Sequence, residues 1–269
     1  MHYKFLAVIP FYYGNVPSII RTCELLDEFS FFVILFDNSC FISRSSLSSV
    51  KNLAIIRPKI NEGVYGAYRY AFSVISKMNF SHLLLLDQDS FVSRPFLETS
   101  IRLMSNKKFE CCVFAPFDSG NLIKNKALEF CDRSAYSQLV DAKGSGLILP
   151  KELCIAKFLD PRLYLDYLDW SFCWKLTSFG YKIYHIDFPL ARHSLGSHFK
   201  IPFSSGICFR ISSPARLLNQ LTSSTYLLFS PQYYTLMPTS RRVKLCFRTL
   251  CIPFLFLISF FFHQFSAPN

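Results

Sequence analysis

The sequence predicts an open α/β fold around a largely parallel sheet, and three observations carry that prediction. Short apolar runs bounded by turn residues recur through the first half, segments of helical period lie between them, and polar residues collect directly after each run. The runs are Phe5 to Ile9, Phe31 to Phe36, Leu53 to Ile56 and Leu83 to Leu86. Continuous rather than alternating apolarity marks strands buried on both faces, as parallel strands are.

Asn15 to Phe29 and Gly63 to Met78 carry apolar residues at helical spacing. Asn15 is placed to cap the first helix, and Pro17 suits its opening turn. The order is β-α-β-β-α-β. After about residue 105 the pattern loosens, with strands expected at Cys111 to Phe114, Gly146 to Leu149 and Lys182 to Ile186, and a helix from Tyr167 to Phe179. Ligands of such sheets gather at the carboxyl ends of the strands. There the sequence places Pro10-Phe11-Tyr12, Asp37-Asn38-Ser39, Asn61 and Asp87-Gln88-Asp89.

Composition narrows the partners. Lys and Arg outnumber Asp and Glu by 29 to 18, so phosphates, nucleic acid or anionic lipid are favoured. No zinc-finger spacing, RNA-binding aromatic signature or basic recognition helix is present, which sets nucleic acid aside. Hydrophobic residues make up 51% of the chain and Phe alone numbers 30, which exceeds the need of an internal core and points to a further apolar contact. The 10 cysteines form no CxxC pair and lie mostly in apolar runs, as packed, reduced thiols of a cytosolic protein do. The first apolar run is too short for a secretory signal and reads as a strand.

Two carboxylates one residue apart, Asp87 and Asp89, follow the buried run Leu83 to Leu86. Such a pair suits Mg²⁺ or Mn²⁺ holding a diphosphate, because hard cations take oxygen ligands and keep positions for phosphate oxygens. A solvated turn after a strand would use Asp as well.

Four pieces in order extend this motif: Phe36-Asp37-Asn38-Ser39; Asn61-Glu62-Gly63-Val64-Tyr65-Gly66-Ala67; Leu86-Asp87-Gln88-Asp89-Ser90; and Asp166-Tyr167-Leu168-Asp169 through Gly180-Tyr181-Lys182-Ile183 to His193-Ser194-Leu195-Gly196. Over residues 4 to 198 the chain resembles the inverting glycosyltransferases of family 2, which have a GT-A fold. It looks most like the rhamnosyltransferase-like enzymes of bacterial O-antigen and surface-polysaccharide assembly. The resemblance implies that Asp37 accepts a hydrogen bond from a uracil or thymine ring, and that Pro10, Tyr12, Asn61, Gly63 and Asp87 complete the donor side. It implies Asp89 and His193 as metal ligands, Asp169 as catalytic base and Asp166 one helical turn before it on the same face. Gly144-Ser145-Gly146 resembles the acceptor-side loop, although an ordinary turn has the same composition. Ser171 stands where the family has an acid, and Lys175 where it has Arg.

The tail, Leu250 to Phe262, is an uncharged run of 13 residues after Arg241, Arg242, Lys244 and Arg248. It is short for a bilayer span, which needs roughly 20 residues, and Pro253 would disturb a helix. The expectation is a GT-A domain over 1–205 and a basic, apolar segment over 206–269 that lies on anionic lipid at the cytoplasmic face of the inner membrane. The expected reaction moves a hexose from a UDP- or dTDP-sugar to a polyprenyl-diphosphate-linked sugar. The alternatives are a haloacid-dehalogenase-like phosphatase, which also uses a DxD after a strand, and a non-catalytic membrane-bound assembly partner.

Overall fold

A computed structural model describes residues 5–105, 112–117, 136–139, 141–189, 192–193, 198–200, 208–210 and 213–265. Strand β1 (Phe5–Phe11) is buried along its whole length. Helix α1 (Val16–Glu28) follows, with Asn15 Oδ1 accepting from Ser18 N at 3.1 Å and a proline in its first turn. Strand β2 (Phe31–Asp37), strand β3 (Leu53–Ile56), helix α2 (Gly63–Lys77) and strand β4 (His82–Leu85) complete the predicted order.

These strands are parallel neighbours, with Phe5 opposite Phe31 on one side and His82 on the other. One face of β1, with Ala7 and Ile9, packs with Ile19, Cys23 and Leu26 of α1. Side chains alternate across a strand, so Leu6 and Val8 point to the other face, where α2 lies against β1 and β4. Sheet layers covered on both sides leave no room for polar positions, which is why the runs are unbroken. The Cys23 thiol is pushed up to about 12 by burial, then by Glu24 and Asp27, and stays an inert core group.

Beyond β4 come β5 (Ser90–Phe91), α3 (Arg94–Met104), β6 (Cys112–Phe117), β7 (Tyr136–Leu139), β8 (Leu147–Pro150), α4 (Leu168–Ser178), β9 (Lys182–Pro189) and β10 (Arg192–His193). The eight-stranded sheet runs β3-β2-β1-β4-β8-β6-β9-β7. Strand β8 lies antiparallel between β4 and β6, β6 and β9 are parallel, and β7 closes the edge antiparallel. The loosely patterned region thus supplies half of the sheet. Helix α3 has no counterpart in the sequence reading, although Ser93 caps it through Phe96 N at 3.2 Å and a proline opens it.

The chain divides into two compact units, residues 1–164 with 168–193, and residues 165–167 with 194–269. The sequence placed the division after residue 205. In the second unit β11 (His198–Lys200) pairs with β12 (Cys208–Arg210), and α5 (Pro214–Phe229), α6 (Pro231–Tyr234) and α7 (Thr239–Phe265) follow. Helix α5 packs along α7, where Thr249 Oγ1 donates to Ser224 Oγ at 2.8 Å and Leu245 and Ile252 are buried. The expected break at Pro253 does not occur, and α7 runs through it. A proline forfeits one backbone hydrogen bond, and burial of the preceding turns against α5 outweighs that loss. No helix among the described residues is long and apolar enough to cross a membrane.

Leu84, 1% exposed on the fourth strand of the parallel set, fills the sheet interior. Leu84→Ala is expected to cost about 3 kcal/mol in urea unfolding, with the m-value unchanged.

Candidate active site

The mouth of the parallel strands is shaped before any ligand enters it. Strand β1 extends two residues further than predicted, so Pro10 is a buried strand residue opposite Phe36 rather than part of the mouth. By then β4 has ended its pairing with β1 at Val8, and a residue without an N–H is tolerated where only one neighbour remains. Tyr12, 51% exposed, is the first residue to reach the mouth, and its N–H donates to Gln88 Oε1 at 2.7 Å.

Asp37 at the end of β2 turns inward. Its Oδ1 accepts from Ser39 N and Oγ at 3.1 and 2.7 Å, its Oδ2 accepts from Ile42 N at 2.9 Å, and Arg57 lies 3.9 Å away. The carboxylate is fully buried and folds the following loop. Asn38 then ties that loop to the start of α2, accepting from Glu62 N at 2.9 Å and donating to Gly63 O at 3.2 Å. Asn61 Oδ1 accepts from Gly63 N at 2.9 Å, and Asn61 O accepts from the Tyr164 hydroxyl at 2.9 Å.

Gly63 has φ +62°, and a Cβ there would lie 2.5 Å from the Tyr164 carbonyl. Both the backbone and the space therefore demand glycine. Burial, then the neighbouring Tyr12, raises the Tyr164 phenol, against the opposing pull of a Gly63 backbone hydrogen bond. Tyr12, Asn61, Gly63 and Tyr164 thus form one wall.

A second, adjoining wall joins three segments far apart in sequence. Asp87, Gln88 and Asp89 are partly exposed, and Ser90 folds back so that its hydroxyl accepts from Asp87 N at 3.3 Å. The Ser90 hydroxyl also bonds the Ser145 hydroxyl. Gly146 N donates to Leu85 O at 2.7 Å, with Gly146 at φ +82°. Gly144 N donates to Asp169 Oδ2 at 2.9 Å, while Asp169 Oδ1 accepts from Trp170 N at 2.9 Å. The Gly144-Ser145-Gly146 turn therefore bonds the DxD loop on one side and Asp169 on the other.

Tyr68 of α2, 2% exposed, occupies the space beside that turn. A Cβ on Gly144 would lie 2.6 Å from the Tyr68 hydroxyl and 3.4 Å from Asp169 Cβ. Burial, then the charges of Asp87 and Asp169, hold the Tyr68 phenol well above its usual range. The chain is basic overall, yet Asp87, Asp89 and Asp169 make this wall acidic. Sequence reading missed Tyr68 and Tyr164, which belong to no motif.

Backbone pairing adds His193. Strands β5 and β10 set Ser90 opposite His193 and Phe91 opposite Arg192, so late chain lies beside the DxD loop. The His193 side chain lies outside the described part. Among the described residues no group of three or more His, Cys, Asp or Glu surrounds a single point.

Asp166 does not sit as expected. Helix α4 begins at Leu168, and Tyr167 before it has φ +67°, which turns the chain so that Asp166 shares no helical face with Asp169. Its Oδ1 instead accepts from Arg216 Nη2 at 3.4 Å and Gln220 Nε2 at 3.3 Å. Ser171, fully buried, donates to Leu168 O at 2.9 Å, which leaves Asp169 as the sole acid of α4. Lys175 is half-buried, and burial lowers its ammonium against the pull of Asp160.

No family model matches the chain. It is 23% identical over 257 residues to the dTDP-rhamnosyl transferase RfbF of Shigella flexneri, covering 90% of this chain and 86% of that protein. Its fold matches GalNAc-T7, solved with UDP, GalNAc and Mn²⁺, with TM-score 0.53 and 13% identity over 86% of this chain and 50% of that one. The match to S. aureus TarS has TM-score 0.50 and 13% identity, over 93% of this chain and 43% of that one. The chain has a GT-A fold and is similar in sequence to a glycosyltransferase. That fold leaves the dehalogenase-like phosphatase without a scaffold, since here the DxD follows the fourth strand, beside an antiparallel neighbour.

Gly144→Ala is expected to destabilise the protein by about 1–3 kcal/mol through crowding against Tyr68. Adding Tyr68→Phe should restore part of that loss, because the hydroxyl is the atom in the way. Thermal melting of the single and double variants checks this.

Proposed function

We propose that the chain transfers a hexose, with inversion, from a dTDP- or UDP-sugar to a sugar carried on a polyprenyl diphosphate, in the assembly of an O-antigen or related surface polysaccharide. The observation that supports the reading is the double bonding of the Gly144-Ser145 turn, to the Asp169 carboxylate on one side and to Ser90 of the DxD loop on the other. Rhamnose heads the candidate sugars because the curated relative is a dTDP-rhamnosyl transferase; glucose and galactose complete the set.

Asp169 takes the proton of the acceptor hydroxyl as that oxygen attacks the anomeric carbon. The new carbon–oxygen bond forms opposite the bond that breaks, and the electron pair leaves on the nucleoside diphosphate. A carboxylate base of this kind contributes typically about 10²–10⁴-fold. The backbone N–H groups of Gly144 and Trp170 fix its direction, which is what a proton transfer at hydrogen-bond distance needs.

Asp89 and His193 would hold Mg²⁺ or Mn²⁺, with Asp87 on the donor side. Such ions bind through one or two carboxylates together with substrate phosphates, so a complete protein cage is not required. Bound there, the ion would supply positive charge against the departing diphosphate. GalNAc-T7 was solved with Mn²⁺ and UDP. On the donor side, Tyr12, Asn61 and Gly63 would flank the nucleoside, and Asp37 serves by shaping the loop beneath it.

Membrane contact is part of the proposal. Val243, Phe247 and Leu250 of α7 are 66%, 65% and 79% exposed. Spaced at i, i+4 and i+7, they form one stripe, beside exposed Lys244 and opposite the buried Leu245 and Ile252. An apolar stripe edged by a cation fits an anionic leaflet at the cytoplasmic face of the cell membrane, where a peripheral or monotopic enzyme would meet a lipid-linked acceptor.

With dTDP-rhamnose and a lipid-diphosphate acceptor, Asp169→Asn should lower transfer by about 10²–10⁴-fold while donor binding persists. Asp89→Ala should abolish transfer and its response to added Mn²⁺ together. Asp89→Ala retaining full activity in chelator would refute the metal-assisted reading. The stripe is checked separately by sedimentation with phosphatidylglycerol vesicles. Phe247→Asp with Leu250→Asp should leave the protein in the supernatant, and unchanged sedimentation would remove α7 from the contact.

A further inference from the structure

Three aromatic side chains stand in the open at the mouth of the first two strands. Tyr12, Tyr13 and Phe41 are 51%, 65% and 63% exposed. They form one row: the Tyr12 and Tyr13 rings meet edge to face with centroids 4.8 Å apart, and the Tyr13 ring lies 6.1 Å from that of Phe41. Tyr12 and Tyr13 follow β1 and Phe41 follows β2, so the row crosses the carboxyl ends of two neighbouring strands, where such sheets bind their ligands. Its first member is tied to the DxD loop, through the Tyr12 N–H donated to Gln88.

The backbone is bent in a way that keeps these rings outside. Tyr13 has φ +45°, and Cys40, just before Phe41, has φ +55°. Left-handed backbone at residues other than glycine persists only where the surroundings over-determine it. At Cys40 the determinant is Asp37, whose carboxylate accepts from the N–H groups of Ser39 and Ile42, on either side of the Cys40-Phe41 pair.

The same bonds take Asp37 out of reach of a ligand. The family resemblance gives it the ring N–H of uracil or thymine to accept. Here the side chain is fully buried, with Oδ1 taken by the Ser39 N–H and hydroxyl and Oδ2 by the Ile42 N–H beside Arg57. Asn38 is engaged likewise, since both ends of its amide bond the backbone at Glu62 and Gly63. The two polar side chains at the end of β2 therefore face the protein, and the rings face the mouth.

We infer that the base of the nucleotide donor stacks on the Tyr12-Tyr13-Phe41 row and that its hydrogen-bonding edge is not read, so that cytosine is accepted as well as uracil or thymine. The inference rests on the proposed nucleoside-diphosphate donor and adds to it the class of base. With its diphosphate at the DxD loop, the nucleotide lays its base along a row that starts from that loop. Stacking is tolerant because every base has a π-face, whereas an edge contact discriminates. Uracil and thymine carry N3–H, where cytosine carries a lone pair. A carboxylate in contact with that position would meet cytosine acceptor to acceptor and lose its bond.

Calorimetric titration of the full chain with Mn²⁺ present separates the two cases. UDP is compared with CDP, and dTDP with dCDP, so that each pair shares its sugar. Within a pair the dissociation constants are expected to agree within about threefold. A carboxylate that reads the edge would instead disfavour the cytidine member by about a hundredfold or more. Phe41→Ala and Phe41→Leu should each weaken both members by about tenfold, since leucine restores bulk but not the ring. Their melting temperature should hold, because the Phe41 side chain is exposed. Asp37→Asn should lower the melting temperature and weaken both members equally, by loosening the loop that presents Phe41.

Phe41 variants that bind as the parent does would overturn the inference. So would an Asp37→Asn variant whose preference turns toward cytosine, which would put that side chain on the edge of the base. A parent that binds UDP or dTDP and rejects CDP and dCDP refutes the inference alone and leaves the proposed donor standing. A parent that binds none of the four nucleotides refutes the proposed donor, and the inference falls with it.

Discussion

Everything at the acidic wall depends on one backbone hydrogen bond, from Gly144 N to Asp169 Oδ2. It needs a residue without a side chain, because the Tyr68 hydroxyl fills the space that a Cβ would take. The same turn, through Ser145 and Gly146, holds Ser90 and the end of β4. A single tight turn thus couples the sheet, the carboxylate pair and Asp169. Pre-organised groups of this kind avoid reorganisation at the moment of reaction.

The parallel half of the sheet was legible in the sequence because its physics is local and repetitive. Strands buried on both faces give unbroken apolar runs, and helices between them carry the 3.6 period and its caps. The other half was read only in outline. Strand β6 draws its partners from β8 and β9, far along the chain, so little of its pairing is written locally. Helix α3 was missed despite its Ser93 cap, because the DxD just before it drew attention as a turn rather than as the approach to a helix.

The site divides in the same way. The sequence placed the mouth at a set of strand ends, and the DxD loop, Tyr12, Asn61 and Gly63 follow those ends in the structure. Pro10 was misplaced because pairing on one side alone lets a proline remain inside a strand. Asp166 was misplaced because helical spacing was extended through Tyr167, whose left-handed backbone no local pattern announces. Tyr68 and Tyr164 were invisible, since each acts through a neighbour that only folding brings near. The weakest of the sequence signals, Gly144-Ser145-Gly146, proved to be the hub.

The order of the strands also bears on how the protein is made. The four parallel strands close from residues 5 to 85, with β1 central and both partners nearby in sequence. During synthesis this half, with Tyr12, Asn61 and Gly63 on its rim, is out of the ribosome well before α4 and long before α7. Strand β8 must then add to an exposed edge of β4, a non-local and therefore slow step. Until that step is taken, the nascent chain offers a bare, apolar strand to its surroundings, a natural place for a chaperone to hold it.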